Sequence, residues 1–567
     1  MKCLGVFLAA YGTSFTLASP ESEHSEELGV SPLQLLQSKL DLQRVSRPNL
    51  LFLVLDQWRF DWNGHADGPS LPTIDALGKS GVRFTRAYTP SPLCVPARSA
   101  LAAVREYKDM WIKNNSNSYT GKPQNTPTFM SVLRSVGYTT MLVGKDHLSD
   151  GAENLAGARQ SVDMDALGVD WFIRAVDKYA FCYGYGEPVD AYSAYLKELD
   201  LLQKQCEAYG IFSMGESCRR TQVCDSTSII ECGFRCPKVN GVDHNHSVDT
   251  WVRRKAEELL RRHRETFGLE KPWFLQVNFL GPHPPLVPDE LWGSARLPEA
   301  IDANFTEILV FDLEGNKRYR PHPFKDLVNV TETRQIYAQH LLRIDREIQS
   351  ILQTLERYEM RRNTVIVVTG DHGDHLGDLG HFSKTSPWEP SVHVPLLVTG
   401  PSLPQNVVVD HPVSLIDVPM TFLDLAKAKA LDTMQGYSLM PALAGATTTA
   451  RPAVMFGLNY LEEFAYDIDG AMVSLGRKQF DASAAMFGSD FLKLICCPTG
   501  CRKQGGLLLD VSMVTAQVAL MNVTSRREDS FEYNILNLGS FRSRSFLSRI
   551  RGNPAGDSRK MCHNEGT

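Results

Sequence analysis

The chain has 567 residues, of which 43% are hydrophobic and 22% are charged, and its formal net charge is −6. This composition is typical of a globular protein that is long enough to bury a large core. Nucleic-acid-binding proteins usually present a basic patch, so the charge balance argues against a nucleic-acid partner.

The N-terminal segment has the pattern of a secretory signal peptide. Lys2 precedes a mostly apolar stretch over residues 4–18, and small residues follow it. The sequence predicts a signal peptide over 1–19 and a polar linker over 20–46. No later stretch approaches the roughly 18 apolar residues of a membrane span, so no span is expected. The predicted location is the secretory pathway, ending in the extracellular space or a lysosome-like compartment.

Cysteine usage agrees with that location, because disulfides persist in oxidising compartments. Of the 12 cysteines, ten fall into two clusters: Cys182, Cys206, Cys218, Cys224, Cys232 and Cys236, then Cys496, Cys497, Cys501 and Cys562. A structural zinc site in the first cluster is the alternative, but paired Cys-x-x-Cys spacing is missing. Sequons predict glycans at Asn114, Asn245, Asn304, Asn329 and Asn522.

Apolar runs alternate with helical patterns along the chain. The predicted strands are 50–55, 139–143, 273–280, 364–368 and 394–398, and apolar residues at helical spacing predict helices near 129–136 and 341–355. This alternation predicts an α/β fold with a mostly parallel sheet between helices. We expect a main domain over 47–449, with a cysteine-rich insertion at about 180–247. A smaller C-terminal α+β domain over 450–567 is expected to contain an antiparallel sheet.

Polar motifs follow four of these strands. They are Asp56-Gln57, Gly144-Lys145-Asp146-His147, Gly281-Pro282-His283-Pro284 and Asp371-His372-Gly373-Asp374. Ligands of open α/β sheets bind beyond the carboxyl ends of the strands, so one rim is predicted to collect all four motifs.

Cys94-Val95-Pro96-Ala97-Arg98 is the most informative stretch. Pro96 suits the first turn of a helix, so Cys94 is predicted to lie near a helix N-terminus, where the dipole favours an anion. Arg98 adds a permanent positive charge one turn further on. From the residues alone, Cys94 is either an activated thiol or a buried structural cysteine.

Together these motifs resemble the sulfatase family, the formylglycine-dependent branch of the alkaline-phosphatase-like superfamily. The resemblance covers residues 49–401 and includes Cys94-x-Pro-Ala-Arg98, Gly144-Lys145-x-His147, Gly281-Pro-His-Pro-Pro285, Asp371-His-Gly-Asp374 and His381-Phe-Ser-Lys384, in the family's order. It implies a large, mixed, mostly parallel sheet covered by helices. It also implies hydrolysis of a sulfate monoester, carried by a small molecule or a glycan.

The resemblance further implies the site. A formylglycine-generating enzyme would convert Cys94 to an aldehyde, whose hydrate attacks sulfur. The implied metal ligands are Asp56, Gln57, Cys94, Asp371 and His372, and the ion is Ca²⁺ or Mn²⁺, with Mg²⁺ possible. Gln57 and His372 place the chain nearest the choline-sulfatase and phosphonate-monoester-hydrolase branch.

The remaining implied residues are catalytic. Arg98 and Lys145 match positions that hold the diol and sulfate oxygens. His283 and Lys384 match positions that protonate or stabilise the leaving oxygen, and His147 matches the base that releases sulfate. His375, His381, His393, Asp374 and Asp378 are interpreted as supporting or loop residues, with a second metal site as the alternative.

The sequence departs from the family after Leu101. The usual Leu-x-Thr-Gly-Arg reads Leu101-Ala-Ala-Val-Arg105 here. Two other functions therefore stay open beside sulfate-ester hydrolysis. One is a phosphonate or phosphate ester hydrolase with the same machinery, and the other is a secreted, non-catalytic protein that binds sulfated glycans.

Overall fold

The computed structural model describes residues 47–64, 68–113, 115, 127–148, 164–178, 180–184, 186–209, 241–288, 307–311, 317–321, 330–378, 382–386, 388–446, 451, 453–458, 462–467, 471–476 and 509–510. The predicted signal peptide and linker lie outside these residues, as does most of 450–567. His381 and the sequon asparagines other than Asn245 also lie outside them.

The described strands are β1 (Asn49–Asp56), β2 (Val82–Tyr88), β3 (Thr139–Lys145), β4 (Trp171–Ala175), β5 (Trp273–Pro282), β6 (Glu307–Phe311), β7 (Lys317–Pro321), β8 (Thr364–Gly370), β9 (His393–Thr399), β10 (Val407–Val409), β11 (Val413–Ser414), β12 (Ala453–Leu458), β13 (Glu462–Asp467), β14 (Ala471–Gly476) and β15 (Leu509–Asp510). The described helices are α1 (Pro72–Lys79), α2 (Cys94–Ala103), α3 (Phe129–Ser135), α4 (Ala191–Glu198), α5 (Leu202–Ala208), α6 (Val248–Phe267), α7 (Val330–Arg357), α8 (Glu389–Val392), α9 (Asp417–Leu425) and α10 (Met440–Leu443).

The main sheet has the order β10-β2-β9-β8-β1-β5-β3-β4, and β11 also pairs with β2. Strands β8, β1, β5, β3 and β4 run parallel, whereas β9 is antiparallel to both β8 and β2. The predicted α/β fold with a mostly parallel sheet is confirmed. All five predicted strands are present, and the fifth is the one that reverses direction.

Helices cover both faces of this sheet. Along β1, Leu51, Leu53 and Leu55 share one buried cluster with Ile344 of α7. On the opposite face, the Phe52 ring lies 5.4 Å from the ring of Phe422 in α9. Successive side chains of a strand point to opposite faces, so a strand that is apolar throughout requires burial on both sides.

The chain beyond residue 450 packs against the main sheet where it is described. Strands β12 to β15 form a four-stranded antiparallel sheet. The buried Arg451 pairs with Asp417 at 2.6 Å and with Glu106 at 2.8 Å. The Gly457 carbonyl accepts a hydrogen bond from Ser91 Oγ at 2.8 Å. The expected antiparallel sheet is therefore observed, and the domain boundary at 449/450 stays a prediction.

Part of the cysteine-rich region is ordered by a disulfide. Cys182 and Cys206 are bonded across 24 residues of sequence. Because both sulfur atoms are in this disulfide, neither cysteine can be a thiolate ligand of a zinc site in the first cluster. Residues 210–240 lie outside the described chain. Among the described helices, none has the length and apolar character needed to cross a bilayer.

Candidate active site

Four neighbouring strand ends meet at one rim of the sheet, as the motifs predict. Strands β8, β1, β5 and β3 lie side by side. Asp371 follows β8, Asp56 ends β1, His283 follows β5 and Lys145 ends β3, and all four side chains are buried. The parallel directions of these strands bring residues that are far apart in sequence into one cluster.

Cys94 lies in the middle of this cluster. The residue is 1% exposed. Its Sγ lies 2.8 Å from Lys384 Nζ and 3.2 Å from His372 Nε2. Asp56 Oδ1 and Lys145 Nζ each lie 3.8 Å from the same sulfur atom. Residue 94 is therefore surrounded by cationic side chains and by side chains of the kinds that bind metal ions.

The helix that carries this cysteine begins as its sequence predicts but ends at a strained residue. α2 starts at Cys94, and Pro96 lies in its first turn, where a missing N–H leaves no hydrogen bond unmade. The helix stops at Val104, which has the left-handed angles φ 55° and ψ 49°. Valine replaces the usual family glycine at this point. A left-handed conformation costs a residue with a side chain about 1–2 kcal/mol.

Oxygen and nitrogen acceptors converge beside Cys94 in a manner that suits a divalent cation. Asp56, Cys94, Asp371 and His372 offer ligand atoms that all lie within 4.8 Å of one another. His372 Nδ1 donates to the Gly373 carbonyl at 3.0 Å, so its Nε2 faces the two carboxylates with a lone pair. Burial lowers the pKa of His372 to about 4, which keeps the ring neutral, as metal binding requires.

Gln57 lies beside this group and contacts Asp371 through its backbone. Its backbone N–H donates to Asp371 Oδ1 at 2.9 Å, and its Nε2 donates to Asp374 Oδ2 at 2.5 Å. Within the described chain, its buried Oε1 has no hydrogen-bond partner. A buried amide oxygen without a partner is costly unless a cation or water binds it, so the residues present fit a metal ion.

Arg98 and Lys145 supply the positive charge of the cluster. Arg98 Nε donates to Asp371 Oδ2 at 2.9 Å and Nη1 donates to the Lys145 carbonyl at 2.9 Å. Its Nη2 is buried without a partner among the described residues. Lys145 Nζ bonds to Asp56 Oδ2 and lies 2.7 Å from Asp177 Oδ2. Arg98 therefore keeps one donor for an anion.

The three predicted acid–base residues lie around the same space. Lys384 Nζ is 3.2 Å from His372 Nε2 as well as close to Cys94. Burial, reinforced by the charge of Lys145, lowers the pKa of His147 well below its usual value. The His147 ring is therefore neutral and can accept a proton. His283 Nδ1 donates to the Pro284 carbonyl at 2.6 Å, which directs its other nitrogen to proton exchange.

Sequence reasoning missed Asp177 and Lys178. They follow the half-buried strand β4, whose Trp171–Ala175 sequence contains an arginine and was not recognised as a strand. Lys178 Nζ donates to the His283 carbonyl at 2.7 Å, and burial lowers the pKa of Lys178 to about 8. Recognising β4 would have added its carboxyl end to the predicted rim.

The other acidic and histidine residues near the fourth motif have partners of their own. Asp374 binds the Gln57 amide, and Asp378 pairs with Arg59 at 2.7 Å. His375 Nε2 lies 2.5 Å from a serine hydroxyl, and His393 Nδ1 lies 2.6 Å from Glu389. In the part of the chain that the structure describes, these residues brace loops and do not form a second cluster of ligands.

The fold and this cluster define a hydrolase of phosphate-like or sulfate esters, and comparison with known proteins gives the family. The Sulfatase family model matches residues 48–428. The chain belongs to the sulfatase family and is a metal-binding sulfuric ester hydrolase. This assignment makes it an enzyme and not a non-catalytic glycan-binding protein.

Individual relatives agree with that assignment. A choline-sulfatase of Rhizobium meliloti is 26% identical over 438 residues, which cover 74% of this chain and 75% of the relative. An arylsulfatase of Clostridium perfringens is 25% identical over 71% of this chain and 80% of its own length. The phosphonate monoester hydrolase of Silicibacter pomeroyi shares the fold, with a TM-score of 0.57 at 19% identity over 76% of this chain and 87% of that one.

Proposed function

We propose that this sulfatase acts through formylglycine made from Cys94, with one divalent cation held by Asp56, Gln57, Asp371 and His372. The position of the Cys94 sulfur carries the proposal. It touches the ammonium of Lys384 and the ligand nitrogen of His372 at the helix N-terminus. As formylglycine, residue 94 would supply a hydrated aldehyde. One of its hydroxyls would attack sulfur while the ester oxygen leaves, and loss of the proton from the other hydroxyl would then expel sulfate and restore the aldehyde.

The cation would be bound by the acceptor groups beside residue 94. Asp56 and Asp371 bring negative charge, and the neutral rings and amides of His372 and Gln57 complete an oxygen- and nitrogen-rich set. Residue 94 would be the fifth ligand. When bound, the ion would supply positive charge that polarises the nucleophile and the sulfate oxygens. Ca²⁺ and Mn²⁺ both suit this set, and Mg²⁺ is a third candidate.

Protein groups would hold the sulfate group and move the protons. The Nη2 of Arg98, which has no partner among the described residues, and the ammonium of Lys145 would bind the negatively charged sulfate oxygens while further charge develops on the leaving ester oxygen. His283, together with Lys384, would give a proton to the leaving ester oxygen. His147 would accept the proton that must leave residue 94 before sulfate departs.

The proposed maturation takes place in the secretory pathway. The signal-peptide pattern, the Cys182–Cys206 bond and the exposed sequon residue Asn245 support this route. There a formylglycine-generating enzyme would be the maturation partner, and the substrate would be a small-molecule or glycan sulfate ester.

The decisive experiment examines residue 94 and activity in one preparation. The full chain is expressed in secretory eukaryotic cells, and the tryptic peptide 87–98 is analysed by mass spectrometry. We expect an aldehyde at residue 94 and hydrolysis of 4-nitrophenyl sulfate, both lost in Cys94→Ala. An unmodified thiol in an active enzyme would refute the formylglycine step. Faster turnover of a phenylphosphonate ester than of any sulfate would instead favour phosphonate as the natural substrate class.

A further inference from the structure

Asp177 is a buried carboxylate beside the proposed acid–base residues. It is 8% exposed and follows β4. Its Oδ2 lies 2.7 Å from Lys145 Nζ and 3.7 Å from His147 Nε2. Its Oδ1 lies 3.8 Å from His283 Nδ1. Asp177 therefore lies between the two histidines proposed to exchange protons with substrate and residue 94.

One oxygen of this carboxylate accepts no hydrogen bond from the described residues. Among the described residues, Asp177 Oδ1 has no hydrogen-bond partner. The neighbouring N–H of His283 is already given to the Pro284 carbonyl at 2.6 Å. A buried carboxylate oxygen accepts hydrogen bonds strongly, so a donor from outside the chain would satisfy it.

The carboxylate also carries its charge into the bound state. Burial would raise the pKa of Asp177, but the neighbouring positive groups, with Lys145 the largest among them, together lower this pKa below its usual value. The same ammonium is shared with Asp56, so it does not neutralise Asp177 alone. A negative charge therefore lies beside both histidines of the proposed acid–base chemistry.

We propose that Asp177 determines specificity by accepting a hydrogen bond from a hydroxyl or ammonium group next to the sulfate ester. The same charge would repel a second anionic group at that place. The preferred substrates would then be sulfate monoesters of hydroxylated or amino-bearing alcohols, such as sugar units with a free neighbouring hydroxyl. This proposal rests on the proposed function, because it assumes that His283 gives its proton to the leaving ester oxygen.

Three matched substrates test it on the mature, metal-loaded enzyme. Catechol monosulfate offers a neighbouring hydroxyl, 2-methoxyphenyl sulfate replaces that hydroxyl with a methyl ether that has no donor, and catechol disulfate places a second anion there. A hydrogen bond to a charged acceptor corresponds to about a 10- to 100-fold preference in kcat/KM. We expect the wild type to prefer the monosulfate over the methoxy ester by that factor and to turn over the disulfate slowest.

The variant Asp177→Asn tests whether this residue causes the substrate preference. In this variant, we expect the ratio of kcat/KM for the monosulfate to kcat/KM for the methoxy ester to fall about tenfold. We also expect kcat/KM for the disulfate to rise relative to the values for the other two esters. Asp165→Asn, at an exposed carboxylate, is the matched control and should leave all ratios unchanged. An equal fall in kcat/KM for all three substrates would show that Asp177 acts only as a structural partner of Lys145 and would overturn the proposal.

The wild-type series alone also decides the proposal if Asp177→Asn does not fold. Equal wild-type rates on the monosulfate and the methoxy ester would overturn the specificity claim and leave sulfate hydrolysis intact. No turnover of any of the three sulfates would overturn the proposed function together with it.

Discussion

Arg98 joins the nucleophile helix to two strand ends. It reaches Asp371 after β8 and the backbone of Lys145 in β3, and it keeps one free donor among the described residues. A guanidinium can make these three contacts at once because its donors form a planar fork, which the single ammonium of lysine cannot reproduce.

Arg98→Lys should therefore lower kcat/KM for 4-nitrophenyl sulfate by about 100-fold or more, because a preorganised donor to developing charge is lost. Initial rates on the mature enzyme would measure the effect. Arg134→Lys is the matched control, since Arg134 pairs on the surface with Asp165. A kcat/KM within a few-fold of wild type would show that the site needs only the charge.

His263 predicts a dependence of stability on pH that is independent of the active site. The residue is fully buried in α6, and neither ring nitrogen has a hydrogen-bond partner within the described chain. Burial, with a smaller contribution from the charge of Lys271, lowers the pKa of His263 to about 4. The unfolded chain therefore binds a proton between pH 6.5 and 4 that the folded chain does not.

Stability from this group is present above pH 6.5 and is lost as the pH falls through that window. At pH 5 the loss should be about 1–2 kcal/mol. His263→Phe keeps a ring beside Phe267 but cannot titrate, so its urea unfolding should be less sensitive to the change from pH 7.5 to 5 by that amount. If the free energy of unfolding changed equally with pH in the wild type and in the variant, the prediction would be contradicted.

At the scale of elements, the loop after β8 is held by a buried ion-pair cluster. Asp378 pairs with Arg59 at 2.7 Å and with Arg334 of α7 at 3.3 Å. Arg59 also donates to the His375 carbonyl at 3.0 Å, and Arg334 donates to the Leu376 carbonyl at 3.1 Å. The cluster thus fixes the same loop that carries the proposed ligands Asp371 and His372.

Asp378→Asn should destabilise the fold by about 3–5 kcal/mol, because it leaves two buried guanidinium groups with too little negative charge. Lys79→Ala, which removes an exposed ion pair with Asp75, should change the free energy of unfolding by less than about 0.5 kcal/mol. Urea unfolding would measure both. Similar changes in the free energy of unfolding for the two variants would mean that water or a rearrangement compensates for the lost carboxylate.

At the scale of the whole molecule, the proposed cation should link activity to stability. A ligand that binds only the folded chain at 100 times its Kd stabilises it by about 3 kcal/mol. Chelation by EDTA should therefore abolish sulfate hydrolysis and lower the Tm together. Titration with Ca²⁺, Mn²⁺ and Mg²⁺ would then identify the ion that restores both.

Asp56→Ala provides the control for this experiment, because it removes a central ligand. Its Tm should not respond to EDTA or to added ions. A wild-type enzyme that retains its rate and Tm after exhaustive chelation would exclude the proposed metal site.

Much of the fold was predictable because its strands are apolar throughout and its motifs follow them directly. Strand β1, with Asp56 and Gln57 at its end, has a pattern that local sequence determines. The half-buried strand β4 has no such pattern, so Asp177 and Lys178 were not recognised. The direction of β9 was also not predictable, because a short apolar run packs equally well in either direction.

The sequence by itself determined the sulfatase motifs, the positions of five main strands along the chain and the residue types of the site, since these are properties of local pattern and chemistry. Only the tertiary structure decided which atoms remain available. It buried the Gln57 side-chain oxygen and one Arg98 donor without hydrogen-bond partners among the described residues, bonded Cys182 to Cys206, and placed Asp177 between two histidines. The reason is physical: hydrogen-bond satisfaction and charge balance depend on neighbours from distant strands, which no local spacing specifies.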